Sequence, residues 1–425
     1  MHIDRIKKRL NTIKSNFKID KKTVLFRYRM KSNNNWETTI RKIMNEDYFI
    51  YISEPKQKKK YAGFGLAQKI ENYNDLNNFN ICSNKKNDEV QVFGGMSFNM
   101  KKKANFPWKS IPKSLFYIPK IQIHNNEIIY SKIINDDFDE NNIIDDICKC
   151  ISIIEKSKNS KPYNANAVNK ENIPLKEKYF LDIKNVKSKI KKNFIKKIVI
   201  SRIEKHTFAE IPNISNLIEK IDGTYPECFN FTIRFCEEHY FFGSTPEKII
   251  SKNNESFSTE ALAGTAENSK ELKNPKDIDE HNFVIKHLIK RLGKISNKIE
   301  KAKSETLKLN YAYHILTKIK GTSKMHILDI MHEIFPTPAL CGTPQKETLK
   351  MIDSIESFDR GWYGGIIGYY DKNGNGNFYV PIRSGLMVNN EIFLYAGSGI
   401  VNESTAENEW NETELKFSHL RAILR

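Results

Sequence analysis

FNFTIRFCEEHYFF, residues 229–242, decides the fold class. Residues 229–235 and 239–242 are two runs of aromatic and β-branched side chains, and 236–238 between them is a polar turn. That pattern predicts an antiparallel hairpin. Upstream, KIVIS at 197–201 is a short β-branched run that reads as another strand, and 363–370, 378–386 and 392–396 read as further strands downstream. Helices fall between them in blocks. One, at 177–192, is basic with apolar Phe180, Ile183, Val186 and Ile190. A second, over 280–302, has Val284, Ile285, Leu288, Leu292, Ile295 and Ile299 at helical spacing, and a last one runs from 405 to 424. The first 155 residues read as short strands at 22–28, 47–52, 89–92 and 120–123 with helical stretches between. Strands in hairpins and helices in blocks favour α+β over a doubly wound α/β fold.

The chain has 425 residues, 39% hydrophobic and 28% charged, enough for a large self-sufficient core. No apolar run approaches the ~18 residues of a membrane span, so no membrane association is expected. The charged start, residues 1–10, has no apolar stretch behind it, and no signal peptide is expected. Six scattered cysteines (82, 148, 150, 228, 236 and 341) without a CxxC exclude a zinc ribbon or disulfide scaffold. They fit a reducing cytoplasm. The net charge of +18 raises a nucleic-acid-binding function. Lysine supplies most of it, however, whereas base readout favours arginine, so a lysine-coated solvated surface is the expectation and no nucleic-acid partner is assigned. Residues 156–176 (KSKNSKPYNANAVNKENIPLK) are polar and read as a flexible loop separating residues 1–155 from the chemistry-bearing 177–425.

No P-loop, GxGxxG, HExxH or GxSxG is present. The chemistry must come from carboxylates and a few cations. On the last helix Glu409, Glu412 and Lys416 stand at i, i+3 and i+7, within roughly 60° of one another on one face. They are either a solvated face with an intrahelical ion pair or two carboxylates offered to a hard cation with a lysine beside it. Mg²⁺ takes few protein carboxylates and completes its shell with water and substrate oxygens. Glu280 opens a helix, where an acid also suits the dipole. Lys197 heads KIVIS and Glu247 follows a Gly-Ser-Thr-Pro turn, so each has an ordinary reading as an edge charge or a turn residue. Arg383 stands within the apolar run YVPIRSGLMV, where burial demands an anion. Gly397-Ser398-Gly399 would let backbone N–H groups approach an anion closely. The sum is a kit for a small, multiply anionic substrate held by Mg²⁺.

At these residues the sequence resembles the chorismate-utilising enzymes, the family of anthranilate synthase component I, and within it the subgroup that forms isochorismate. YAGFGLA (61–67) and VFGGMSF (92–98) resemble family strands weakly. From Lys197 the likeness is dense: KIVISR, FFGSTPEKII, TEALAGT (259–265), DEH (279–281), HILTKIKG (314–321), FPTPALCGTP (from 335), FDRGWYGG (from 358) and EWNETELK (409–416) follow in order. The resemblance implies a single large domain of two stacked, mainly antiparallel β-sheets with helices outside. It implies Lys197 as the base that activates water and Glu247 as the acid facing it. Glu280 and Glu412 resemble direct Mg²⁺ ligands, with Glu409 beside them. Tyr363, Arg383, Gly397 and Lys416 match positions that hold a substrate carboxylate, and Gly264, Thr265 and His314 match pocket positions.

The activity so implied is Mg²⁺-dependent conversion of chorismate to isochorismate: water adds at C2 as the C4 hydroxyl departs. Water is a poor nucleophile and hydroxide a poor leaving group, so a base and an acid on opposite sides are both needed. The base must be a neutral lysine and the acid a protonated glutamate. Family members that use ammonia lack the lysine of KIVISR. Salicylate-forming members keep it but typically carry Thr where this chain has Ala339, so Ala339 favours release of isochorismate, with salicylate formation the alternative. Menaquinone and iron-chelator (siderophore) pathways share this chemistry. The stretch after Gly264-Thr265 departs from the family, with Ala266-Glu267-Asn268-Ser269 in place of a basic run and a short segment to Glu280.

Overall fold

The computed structural model describes residues 3–17, 23–32, 35–155, 167–266, 272, 275–296, 298–308 and 313–424. Among these, every strand pairing is antiparallel except that of Val24–Lys31 with Asn80–Ser83. The hairpin is Phe229–Cys236 with His239–Thr245. Its side chains alternate with the period of two that a pleated strand imposes. Phe229, Phe231, Ile233 and Phe241 enter one core, while Tyr240 and Phe242 enter another on the opposite face.

The strand Ser114–His124 is where the sheet branches. Along one edge it pairs with Lys60–Lys69, and along the other with Gln91–Met96 and Glu127–Ile134. One wing continues through Lys60–Lys69, Ile50–Ser53, the hairpin, Ser384–Val388 and Glu391–Ile400 to Lys197–Phe208. The other continues through Gln91–Met96, Ile366–Asp371, Gly376–Tyr379, Lys248–Asn253 and Ser256–Ala266 to Tyr313–Thr322. The two stacked sheets expected from sequence are thus two wings of one hydrogen-bonded network. Between the wings lies an aromatic core with Tyr61, Phe93, Trp108, Trp362, Tyr379 and Tyr395. Helices cover the outer faces. Ile3–Phe17, Glu140–Glu155, Ile214–Thr224 and Ala406–Leu424 pack on the core that holds Tyr240 and Phe242, and Lys176–Lys191, Pro275–Leu292 and Ile327–Ile334 on a third core.

Four sequence expectations are corrected. Residues 167–173, read as part of a polar loop, form the strand Ala167–Ile173 along the edge of Lys197–Phe208. Its first five side chains are exposed, so it carries no apolar alternation; residues 156–166 lie outside the described residues. Glu280 does not open its helix, which begins at Pro275, a residue suited to the first turn, and ends at Leu292 before Gly293. Ile299, counted with that helix, begins the short strand Ile299–Lys301. Arg383 is not inside a strand: the ladder stops at Tyr379 and resumes at Ser384, across Pro381, which has no N–H to give.

Candidate active site

The ends of both wings and two helices enclose a cavity of about 730 Å³. Ten of the thirteen expected residues line it: Glu247, Gly264, Glu280, His314, Ala339, Tyr363, Arg383, Gly397, Glu412 and Lys416. Lys197 and Glu409 lie behind its wall, fully buried. The side chain of Thr265 lies outside the described residues, as do residues 267–271.

Lys197 starts the strand Lys197–Phe208, and its ammonium donates to Oε1 of Glu280 at 2.8 Å. Both side chains sit directly over Gly399. A Cβ there would fall 2.6 Å from Glu280 Oε1 and 3.0 Å from Lys197 Cε. The Gly-Ser-Gly stretch is therefore strand backbone that makes room for an ion pair, a use different from the anion-cradling loop expected. At Gly397 the same absence of a side chain admits the hydroxyls of Ser201 and Tyr363. The Gly397 carbonyl accepts from Lys416 Nζ at 2.7 Å.

Glu247 occupies the turn between His239–Thr245 and Lys248–Asn253, held by its N–H to Thr245 Oγ1 at 3.2 Å and its carbonyl to the Val380 N–H at 2.9 Å. It is buried, and burial pushes its carboxyl up to about 7 against the opposing pull of Lys197, Lys416 and Arg383. Such a group is protonated just where an acid catalyst is needed. Arg383 has φ +49°, a left-handed conformation that costs a non-glycine residue about 1 kcal/mol or more. Its carbonyl accepts from the Ser244 N–H at 3.1 Å, which holds the turn. His314 shares a 2.9 Å hydrogen bond with the Gly264 carbonyl through Nδ1, so Nδ1 carries the proton and Nε2 is an acceptor. Burial and the neighbouring Arg383 push its pKa down to about 3, so the ring is neutral.

On the last helix, Ala406–Leu424, the Thr405 hydroxyl accepts from the Asn408 N–H as an N-terminal cap. The Glu409–Glu412–Lys416 face turns inward. The i,i+4 bridge does form, Lys416 Nζ to Glu412 Oε1 at 2.7 Å, but on a half-buried face at the cavity rather than a solvated one. No three acidic, His or Cys side chains converge as a ready ligand set among the described residues. Lys197 and Lys416 occupy the places beside Glu280 and Glu412. The donors nevertheless suit Mg²⁺, which needs only one or two protein carboxylates on a cavity wall and takes water and substrate oxygens for the rest. Glu280 and Glu412 are the carboxylates on this wall that would supply them.

Sequence reasoning missed two further residues of the cavity wall, Arg360 and Tyr395. Arg360 is buried and donates through Nε to Glu356 at 2.8 Å, and to the carbonyls of Leu340 and Val199 at 2.8 Å each. Glu356 also accepts the Ser201 N–H at 2.8 Å. This pair ties the head of the lysine-bearing strand to the segment carrying Ala339. Its signal was the Asp-Arg of FDRGWYGG, quoted as a motif but given no role. Tyr395, stacked on Tyr363 with ring centres 5.0 Å apart, was likewise missed.

A family model described as chorismate binding enzyme matches residues 8–425. The chain belongs to the chorismate-binding enzyme family. Among named relatives of this family it is 30% identical over 238 residues to the isochorismate synthase EntC of Escherichia coli, covering 53% of this chain and 61% of that protein. It is 26% identical over 369 residues to isochorismate synthase 2 of Arabidopsis thaliana, covering 79% and 64%. It is also 28% identical to anthranilate synthase component 1 of Saccharolobus solfataricus over 252 residues, 55% of this chain and 59% of that one. The matches thus span about three-fifths of the length of these curated relatives. In fold it is similar to the menaquinone-specific isochorismate synthase of E. coli, with a TM-score of 0.81, 19% identity, and 98% and 100% of the two chains covered. No described helix is long and apolar enough to cross a membrane.

Proposed function

We propose that this chorismate-binding protein is an isochorismate synthase, an isomerase that moves a hydroxyl from C4 to C2 of chorismate by adding one water and losing another. The observation that carries the reading is the placement of two titratable groups at one charged cavity: Glu247 on its wall, with a carboxyl that burial holds up at about 7, and Lys197 buried just behind it. Lys197 takes a proton from water, whose oxygen bonds to C2. The ring double bonds shift, the C4–O bond breaks, and the departing oxygen takes the proton of Glu247. Turnover requires Lys197 to exchange Glu280 for the water it activates. Arg383, Lys416 and Tyr363 hold substrate carboxylate. His314, neutral and with Nε2 as an acceptor, receives a substrate hydroxyl or bound water without adding charge.

Glu280 and Glu412, with Glu409 behind them, would hold Mg²⁺, which supplies positive charge for the ring carboxylate. Ala339 on the cavity wall leaves isochorismate as the product rather than salicylate. We place the activity in the cytoplasm, in a menaquinone or siderophore route, where six cysteine thiols would be stable. Purified protein incubated with chorismate and Mg²⁺ should deplete chorismate, stop in excess chelator, and resume when Mg²⁺ is restored. Full turnover in excess chelator would contradict the metal assignment.

A further inference from the structure

Behind the lysine-bearing strand lies a second, open cavity, of about 1160 Å³, that shares no described lining residue with the first. One wall is the exposed side of the helix Pro275–Leu292, the other the turn Thr343-Pro344-Gln345. Lys196, Lys286, Lys290, Arg291 and Lys294 line it with His287, and among the described residues no carboxylate does. Lys286 and Lys290 stand four residues apart on the helix, a spacing at which like charges oppose one another.

The partners of these cations are few. Arg291 Nη2 donates to the neutral Gln345 Oε1 at 3.1 Å, and His287 Nε2 to the Ile334 carbonyl at 3.0 Å. Lys294 has one carboxylate, Glu333, at 4.0 Å. Lys196, Lys286 and Lys290 form no ion pair with any described residue. What sets these cations apart from the other exposed lysines of this surface is that they line one concavity together, with no described carboxylate among its lining residues. Phe283 and Pro344 add apolar surface to the same walls.

We propose that this cavity binds a small phosphorylated anion, one carrying a di- or triphosphate group. Charge selects the class: several ammonium groups and a guanidinium converging on a concavity match a compact polyanion better than a single carboxylate. Shape selects a small molecule over a nucleic-acid backbone, which needs an extended positive track. The site borders the catalytic elements without belonging to them. The Lys196 N–H donates to the Thr343 carbonyl at 2.7 Å, Thr343 stands opposite Lys197 in the ladder, and Glu280 lies on the same helix as Lys286.

The test is calorimetric titration of the full chain with inorganic pyrophosphate, without divalent metal, at low and physiological salt. Saturable one-site binding is expected, weaker with salt. The double variant Lys286→Glu/Lys290→Glu should weaken it at least tenfold. Lys85→Glu/Lys86→Glu, an equal change of net charge at two exposed residues elsewhere, should leave it within twofold. Circular dichroism confirms that each variant is folded. If the helix variant fails to fold, the single Lys196→Gln variant carries the comparison. Absence of binding at millimolar pyrophosphate, or equal weakening in both double variants, would overturn the proposal. So would a single-stranded oligonucleotide that displaces pyrophosphate and binds more tightly through the same lysines.

Discussion

A carboxyl that stays protonated near neutral pH has to be dry, and Glu247 is dry because its turn is pinned between Thr245 and Val380. Its raised pKa has a stability consequence of definite sign. Between pH about 4.5, where the unfolded chain loses this proton, and about 7, where the folded chain does, the folded state binds more protons. Stability from this group is therefore present at low pH and falls as pH rises through that window, by a total on the order of 3 kcal/mol. Glu247→Gln should remove that fall. Relative to the wild type it should gain stability between pH 5 and pH 8, read from denaturant midpoints, while losing about 10²–10⁴ in kcat. A stability difference that does not change with pH would contradict the assignment. Lys197→Ala should cost a similar factor in kcat, with chorismate binding by calorimetry largely retained through Arg383 and Lys416. Near wild-type turnover would leave Lys197 as a structural cation.

At the scale of elements, the strand Glu391–Ile400 and the helix Ala406–Leu424 set the spacing of the charged groups. Gly399→Ala puts a methyl group against Glu280 Oε1 and Lys197 Cε. The expected outcome is a loss of at least tenfold in kcat/KM with a melting temperature within a few degrees of the wild type. Unchanged kinetics would show that the Lys197–Glu280 geometry is unimportant. Glu412→Gln should raise the Mg²⁺ concentration needed for half-maximal rate by at least tenfold, and an unchanged Mg²⁺ dependence would remove Glu412 from the metal's ligands. The helix face and its i, i+3, i+7 spacing were legible in sequence because periodicity is local. Burial of that face was not, since it depends on the distant Gly397 carbonyl. The break at Arg383 was hidden for the same reason: an apolar run with one proline reads as a single strand until the cross-strand partners are known. Arg360 stayed silent because, beyond its local pair with Glu356, its partners are backbone carbonyls at residues 199 and 340.

Across the whole molecule, residues 1–155 are not an appendage. Ser114–His124 joins the wings, and Phe93, Tyr61 and Trp108 fill the core between them. A fragment of residues 177–425 should therefore lack fixed tertiary packing, with weak near-ultraviolet circular dichroism. Cooperative folding of that fragment would refute this view of the fold. The hairpins told the fold class from sequence, but the branching of one strand between two wings is a long-range property no local pattern encodes. The central claim is hydroxyl transfer that stops at isochorismate. It is tested most directly by separating the products of chorismate and Mg²⁺ in heavy-oxygen water. The account predicts isochorismate as the main product, with one solvent oxygen in its new C2 hydroxyl and little pyruvate. Pyruvate released in step with chorismate loss, or isochorismate without solvent oxygen, would contradict it.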